Sequence, residues 1–167
     1  MRYFIGDTET TGLKQPRPVE IAYVEIEPDT LEIMQTWSSL IDPEKPIEPG
    51  AFHIHGISQE MVENEPTIDE YVNLIAGGRI EDPCTLIGHN IRFDEPMFIP
   101  VMNVVATFCS LALCRRLFPT GTENHRLGTM KEFLGLEGGT AHRALGDVLT
   151  VHQMLRKLLP QTGKTLR

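Results

Sequence analysis

Tyr3-Phe4-Ile5-Gly6-Asp7-Thr8-Glu9-Thr10-Thr11-Gly12-Leu13 begins apolar and runs straight into two acids. Two aromatics and an isoleucine favour a short pleated strand. In extended chain, residues two apart share a face, so Asp7 and Glu9 should stand side by side. Two carboxylates at that spacing repel each other unless something positive lies between them. A hard divalent cation such as Mg²⁺ or Mn²⁺, which prefers oxygen ligands, answers that need. Thr10, Thr11, Gly12 and Leu13 then add hydroxyls, a flexible backbone position and an exposed apolar side chain, which suits holding a small substrate beside a metal. Taken alone, the stretch reads equally as a strand end with solvated acids, so the decision falls to the rest of the chain.

The 167 residues suit one compact domain over positions 1–160, followed by a short polar tail over 161–167. No apolar run is long enough to cross a membrane, and Met1-Arg2-Tyr3 leads into a strand instead of a signal peptide. Cys84, Cys109 and Cys114 are odd in number and lack CxxC spacing, which fits free thiols in a reducing cytoplasm. A net charge of −8 argues against broad attraction to a polyanion. Acids that exist to hold cations inflate that figure, so nucleic acid is not excluded as a substrate.

Outward from the first strand, Lys14 to Pro18 is a proline turn, Val19 to Glu27 a second strand and Leu31 to Ile41 a third, together an antiparallel meander. Glu20 reads as a partner for the Thr10–Thr11 loop or as an exposed strand acid. Ala51 to His55 is a helical turn ended by Gly56, and Ser58 is expected to cap a short helix through Asn64. His53 and His55 have no further histidine or cysteine at zinc-ligand spacing. Thr67-Ile68-Asp69-Glu70 is a capping box, with Ile68, Tyr71, Val72, Leu74 and Ile75 recurring at helical period before Gly77-Gly78. Cys84 to Gly88 reads as a buried strand and Asn103 to Phe108 as another. Helices are expected over Ser110 to Phe118, Leu127 to Leu134 and about Arg143 to Leu159, the last with Leu145, Val148, Leu149, His152, Leu155 and Leu159 inward. A meander followed by alternating helices and strands implies an α/β layer fold with a mixed sheet of about five strands flanked by helices.

Two further stretches carry chemistry. His89-Asn90-Ile91-Arg92-Phe93-Asp94 leaves a strand for a helix, a junction where α/β proteins place ligands, although Asp94 reads equally as an acid at a helix start. His142-Arg143-Ala144-Leu145-Gly146-Asp147 follows a glycine-rich loop, so His142 is expected at the helix start, swung over the site, while Asp147 lies in the helix. The alternatives are a solvent-facing imidazole and a polar-face acid.

In this order, Asp7-x-Glu9, His89 to Asp94 and His142-x-x-x-x-Asp147, the chain resembles the DEDDh group of DnaQ-like 3′→5′ exonucleases over nearly its whole length. That resemblance implies an RNase H-like three-layer fold and hydrolysis of phosphodiester bonds with two Mg²⁺ or Mn²⁺ ions. It implies that Asp7, Glu9 and Asp147 bind the first ion, that Asp7 bridges to a second held by Asp94 through water, and that His142 is the general base. It further implies that Thr10 and Thr11 meet the terminal sugar and phosphate, that Leu13 and Ile54 pack against the last bases, and that His55 and Asn90 line the same pocket. Arg92, Arg115, Arg116, Arg126, Lys131 and Arg143 are either backbone contacts or solvated charges. The expected partner is a DNA 3′ end, single-stranded or frayed, and no membrane. An exoribonuclease, a proofreading module docked on a polymerase or repair complex, and a homodimer stand as alternatives.

Overall fold

In the computed structural model, which describes residues 1–75, 77–163 and 165–166, five strands form one mixed sheet. The strands are β1 (Arg2–Thr10), β2 (Pro18–Ile26), β3 (Ile33–Leu40), β4 (Ile80–Gly88) and β5 (Met102–Cys109), in the order β3-β2-β1-β4-β5. β1 lies in the middle, antiparallel to β2 and parallel to β4, and β5 runs parallel to β4. The meander of the first three strands is as expected, but β3 begins at Ile33 because Leu31 takes a left-handed backbone (φ 59) and is buried under the turn. β4 begins four residues earlier than Cys84, and its register slips between Ile80 and Cys84, around Pro83, which has no N–H to give a ladder.

Side-chain alternation on β1 sorts the core into two layers. Tyr3 and Ile5 pack with Leu113 and Cys114 of α5 (Ser110–Leu117), Met130 of α6 (Leu127–Leu134) and Val148, Val151 and Leu155 of α7 (Ala144–Thr162). Phe4 points the other way, among Tyr23, Leu86, Tyr71 and Phe98. Helices therefore cover both faces, giving three layers.

The remaining helices are short: α1 (Pro49–His55), α2 (Gln59–Val62), α3 (Ile68–Glu70) and α4 (Glu95–Phe98). Gly56 ends α1 in the left-handed region, as expected. Ser58 makes no side-chain cap bond to α2. The capping box at Thr67 and Glu70 is present, yet α3 gives way after three residues to a π-helical turn over Tyr71–Ile75. The side chains of Leu74 and Ile75 lie outside the described residues, as does Ala76. α7 is longer than expected, running through Pro160 and stopping at left-handed Gly163, so Gln161 and Thr162 of the expected tail are helix. Its buried face is also wider: Val151, Met154 and Leu158 are buried, whereas Leu145 and Leu149 are only half-buried.

Candidate active site

The alternation that divides the core also places the acids. Asp7 and Glu9 share the face of Tyr3 and Ile5, which is covered by α7, and Asp147 lies in the first turn of that helix. One carboxylate oxygen from each of Asp7, Glu9 and Asp147 lies within 4.8 Å of the other two. All three residues are half-buried. Burial, with repulsion from Asp147 behind it, pushes the Glu9 carboxyl up to about 8. Asp7 is raised well above the ordinary carboxylate range by burial, then by Asp94 and Asp147. Burial raises Asp147 as well. Oxygen donors that hold their protons for want of a counter-charge are a set that fits a hard divalent cation.

Thr8, between the two acids, points to the opposite face. Its hydroxyl and its N–H both donate to Asp94 Oδ1, at 2.7 and 3.2 Å. Asp94 is thus held at the edge of the triad: it is not one of the three converging donors, yet its charge follows only burial in raising Asp7. Its own carboxyl is pushed up to about 6 by burial, against the two Thr8 bonds. Asp94 does stand at the N-cap of α4, as the helix-start reading has it, but its side chain makes no cap bond there and turns to Thr8 instead.

His142 sits on left-handed backbone (φ 58), two residues before α7, and is exposed. It lines a cavity of about 240 Å³ together with Asp7, Asp147, His89, Arg126 and Lys131. Several contacts fix the approach to it. Lys131 Nζ donates to Gly139 O at 2.8 Å, and Gly138 N–H donates to Gln153 Oε1 at 3.2 Å. A Cβ on Gly146 would meet Thr140 O at 2.0 Å, so only a bare α-carbon lets the loop lie on the helix.

Glu20 is the residue that sequence reasoning placed wrongly. It is buried, directly opposite Glu9 in the β1–β2 ladder, and reaches neither solvent nor the threonine loop. Its Oε1 accepts from Arg143 Nη2 at 2.6 Å and its Oε2 from the Ala144 N–H at 2.8 Å, which caps α7 and anchors the residue next to His142. The available signal was an acid in phase with Ala22 and Val24, on the face that the last helix covers.

On the other side of the triad, Glu9, Thr10, Leu13, Ile54, His55 and Phe93 help to line a cavity of about 340 Å³. Leu13 and Ile54 are 82% and 60% exposed, apolar surface held out at its mouth. His55 is buried: Nδ1 accepts the Ile57 N–H, so Nε2 carries the proton and donates to Thr10 O at 3.2 Å. Burial lowers its pKa, which suits that neutral form. Two expected substrate residues lie elsewhere. Thr11 is fully buried and its hydroxyl accepts the Arg17 N–H, so it shapes the loop and offers nothing to a ligand. Asn90, exposed on left-handed backbone (φ 70), lines a different hollow beside α5.

A family model described as Exonuclease (RNase_T) matches residues 4–155. The chain belongs to that family. Exodeoxyribonuclease 10 of Escherichia coli K12 is 32% identical over 165 residues, covering 96% of this chain and 70% of the relative. The DNA polymerase III epsilon subunit of Treponema pallidum is 28% identical, covering 95% and 76%. The PolC-type DNA polymerase III of Bacillus cereus is 29% identical, and this chain spans only 11% of its length. Among solved structures, exonuclease X in complex with 5′ overhanging duplex DNA superposes with a TM-score of 0.75 at 29% identity, covering 97% of this chain and 93% of that one. Exonuclease I, at 18% identity and a TM-score of 0.76, shares the fold. This is therefore a DnaQ-like 3′→5′ exonuclease domain with the RNase H-like sheet. The exonuclease family depends on divalent metal, and the acidic triad supplies matching donors. No helix among the described residues is long and apolar enough to cross a membrane.

Proposed function

We propose that the chain removes nucleotides one at a time from DNA 3′ ends, releasing nucleoside 5′-monophosphates, with two Mg²⁺ or Mn²⁺ ions at the carboxylates. The observation that carries this reading is the convergence of Asp7, Glu9 and Asp147, two of which, Asp7 and Asp147, line a cavity that also takes His142. Asp7, Glu9 and Asp147 would hold the first ion, and Asp7 with Asp94, the latter through water, the second. Bound there, the ions would supply acidity to an attacking water and positive charge to the entering and leaving oxygens. His142 accepts the proton of that water at a ring nitrogen, because a neutral imidazole is matched to proton transfer near neutral pH, and its exposure lets it pass the proton to solvent. Leu13 and Ile54 pack against the terminal base, a contact that every base can make, and the Thr10 main chain is held for this by His55. The relatives named for deoxyribonuclease and DNA polymerase activity favour DNA over RNA. The three free cysteines accord with a reducing cytoplasm.

The test is digestion of matched 3′-labelled DNA and RNA strands, alongside the p-nitrophenyl ester of thymidine 5′-monophosphate, with Mg²⁺ and with Mn²⁺. Shortening of DNA from the 3′ end, lost in Asp7→Ala, is the expected result. A wild-type protein that leaves all three substrates intact with either ion overturns the reading, and a preference for RNA overturns its substrate.

A further inference from the structure

With a net charge of −8, the domain must meet a polyanion through a local field. The ion pairs among the described residues occupy Arg2, Arg17, Arg79 and Arg143. Lys131 is spent on Gly139 O. Arg115, near the end of α5, and Arg126, just before α6, are both exposed and neither appears in those pairs. Both line a hollow of about 490 Å³ with His89, Asn90, Asn124 and His125, and no acid contributes to its wall. That hollow shares His89, Arg126 and Leu127 with the cavity containing Asp7, His142 and Asp147.

The wall between them is built firmly. His89 Nε2 lies 2.7 Å from His125 O, a carbonyl that only accepts, so the ring nitrogen is the donor. His89 Nδ1 is 2.9 Å from Ser110 Oγ at the start of α5. Asn124 Oδ1 takes the Arg126 N–H at 2.9 Å and the Thr129 hydroxyl at 2.8 Å. One imidazole therefore ties the end of β4 to α5 and to the loop carrying Arg126, so the backbone that presents the two arginines is set before a ligand arrives. The triad thus lies between unlike surroundings: apolar Leu13, Ile54 and Phe93 on one side, carboxylate-free cationic surface on the other.

We propose that the strand 5′ to the bond being cut leaves the active site through this hollow, with Arg126 and then Arg115 meeting its phosphates. The assignment rests on the phosphodiesterase reading above and adds the route of the substrate to it. Among the cations open at the sequence level it selects two, and it leaves Arg143 and Lys131 to the His142 loop.

The experiment compares single-stranded dinucleotides and octanucleotides. For each, kcat/KM with Mg²⁺ and binding by fluorescence anisotropy with Ca²⁺ are measured across about 50 to 200 mM salt. In the wild type both quantities should rise with length, on the order of tenfold, and fall as salt rises. Arg115→Ala/Arg126→Ala should lose most of that gain, with a salt slope shallower by roughly 0.7 for each lost contact. Arg115→Lys/Arg126→Lys should keep much of it, and Arg156→Ala, which lines neither hollow, should keep all of it. A length gain of wild-type size in the alanine pair, or a loss that the lysine pair does not restore, overturns the route. Weaker inhibition by free thymidine 5′-monophosphate with the length gain intact also overturns it, since the hollow would then hold a free phosphate. A wild type that binds the octanucleotide through these arginines but cuts neither length keeps the route and sinks the hydrolytic reading.

Discussion

His142 is not one of the three converging donors and is exposed on its own left-handed residue, so its loss should affect proton transfer and spare ion binding. His142→Ala is expected to lower kcat by about 10²–10⁴-fold, the usual weight of a positioned general base. Mn²⁺ titration by calorimetry should find nearly unchanged affinity; a variant that cannot bind the ion would make the imidazole a ligand. Glu20 acts one residue further away. Removing its carboxylate strips the Ala144 N–H and the Arg143 guanidinium of their acceptor, at a cost of roughly 1–2 kcal/mol, kept small because Arg143 is partly exposed to solvent. Glu20→Ala should therefore lower kcat while leaving KM nearly constant, and Arg143→Lys should retain part of the rate. Equal changes in kcat and KM, or full activity in Glu20→Ala, would remove Glu20 from the positioning of His142. The difference between these residues is also one of legibility. Asp7 and Glu9 are neighbours in the chain, and their shared face follows from strand geometry alone. Glu20 meets Arg143 across 123 positions, and only the folded sheet shows that the acid faces α7.

Gly138-Gly139, ahead of α7, reads in sequence only as a glycine-rich loop, and at the scale of the element it is a close contact. Gly139 lies against Gly146, close enough that a Cβ on it would meet the Gly146 α-carbon at 2.3 Å. Alanine ordinarily strengthens a helix interior over glycine. Here Gly146→Ala should destabilise by roughly 1–3 kcal/mol, the range of overpacked sites, and should pull the His142 loop away from Asp147. Thermal melting and kcat would fall together; a raised Tm with full activity would mean that the loop does not need this contact. The long apolar periodicity of α7 was readable because it is repeated over several turns. The π-helical turn after Glu70 was not, since Thr67 and Glu70 specify only where a helix begins. Pro160 misled for a related reason: a proline signals a stop, yet the last turn of α7 can lack one hydrogen bond and wait for Gly163.

Across the whole molecule the crowded carboxyls tie stability to pH and to metal. Glu9, ordinarily near 4.5, titrates at about 8 in the fold, and Asp94, ordinarily near 3.8, at about 6. Between those limits the folded chain binds more protons than the unfolded one, so unfolding free energy falls as pH rises. In chelator, the Tm should decline from about pH 6.5 to pH 8, above the range in which the buried His55 and His89, whose pKa values burial lowers, add the opposite slope. Saturating Mn²⁺ or Mg²⁺ should flatten that decline, since cations replace the protons. A chelated protein whose Tm climbs from pH 6.5 to pH 8 would contradict the raised Glu9 carboxyl. The antiparallel meander and a mixed sheet of five strands flanked by helices were legible from the sequence, and the three-layer form through the family resemblance, whereas Thr11 and Asn90 were not correctly placed, because burial and loop direction depend on partners such as Arg17. The two-residue alternation of β1 has an evolutionary corollary. Inserting or deleting a single residue between Ile5 and Asp7 would turn both acids toward Phe98 and present Thr8 to α7. Descendants of this gene can therefore vary the letters of that strand, but only length changes confined to the loops beyond it, such as Lys14 to Arg17, leave the reading frame of its two faces intact.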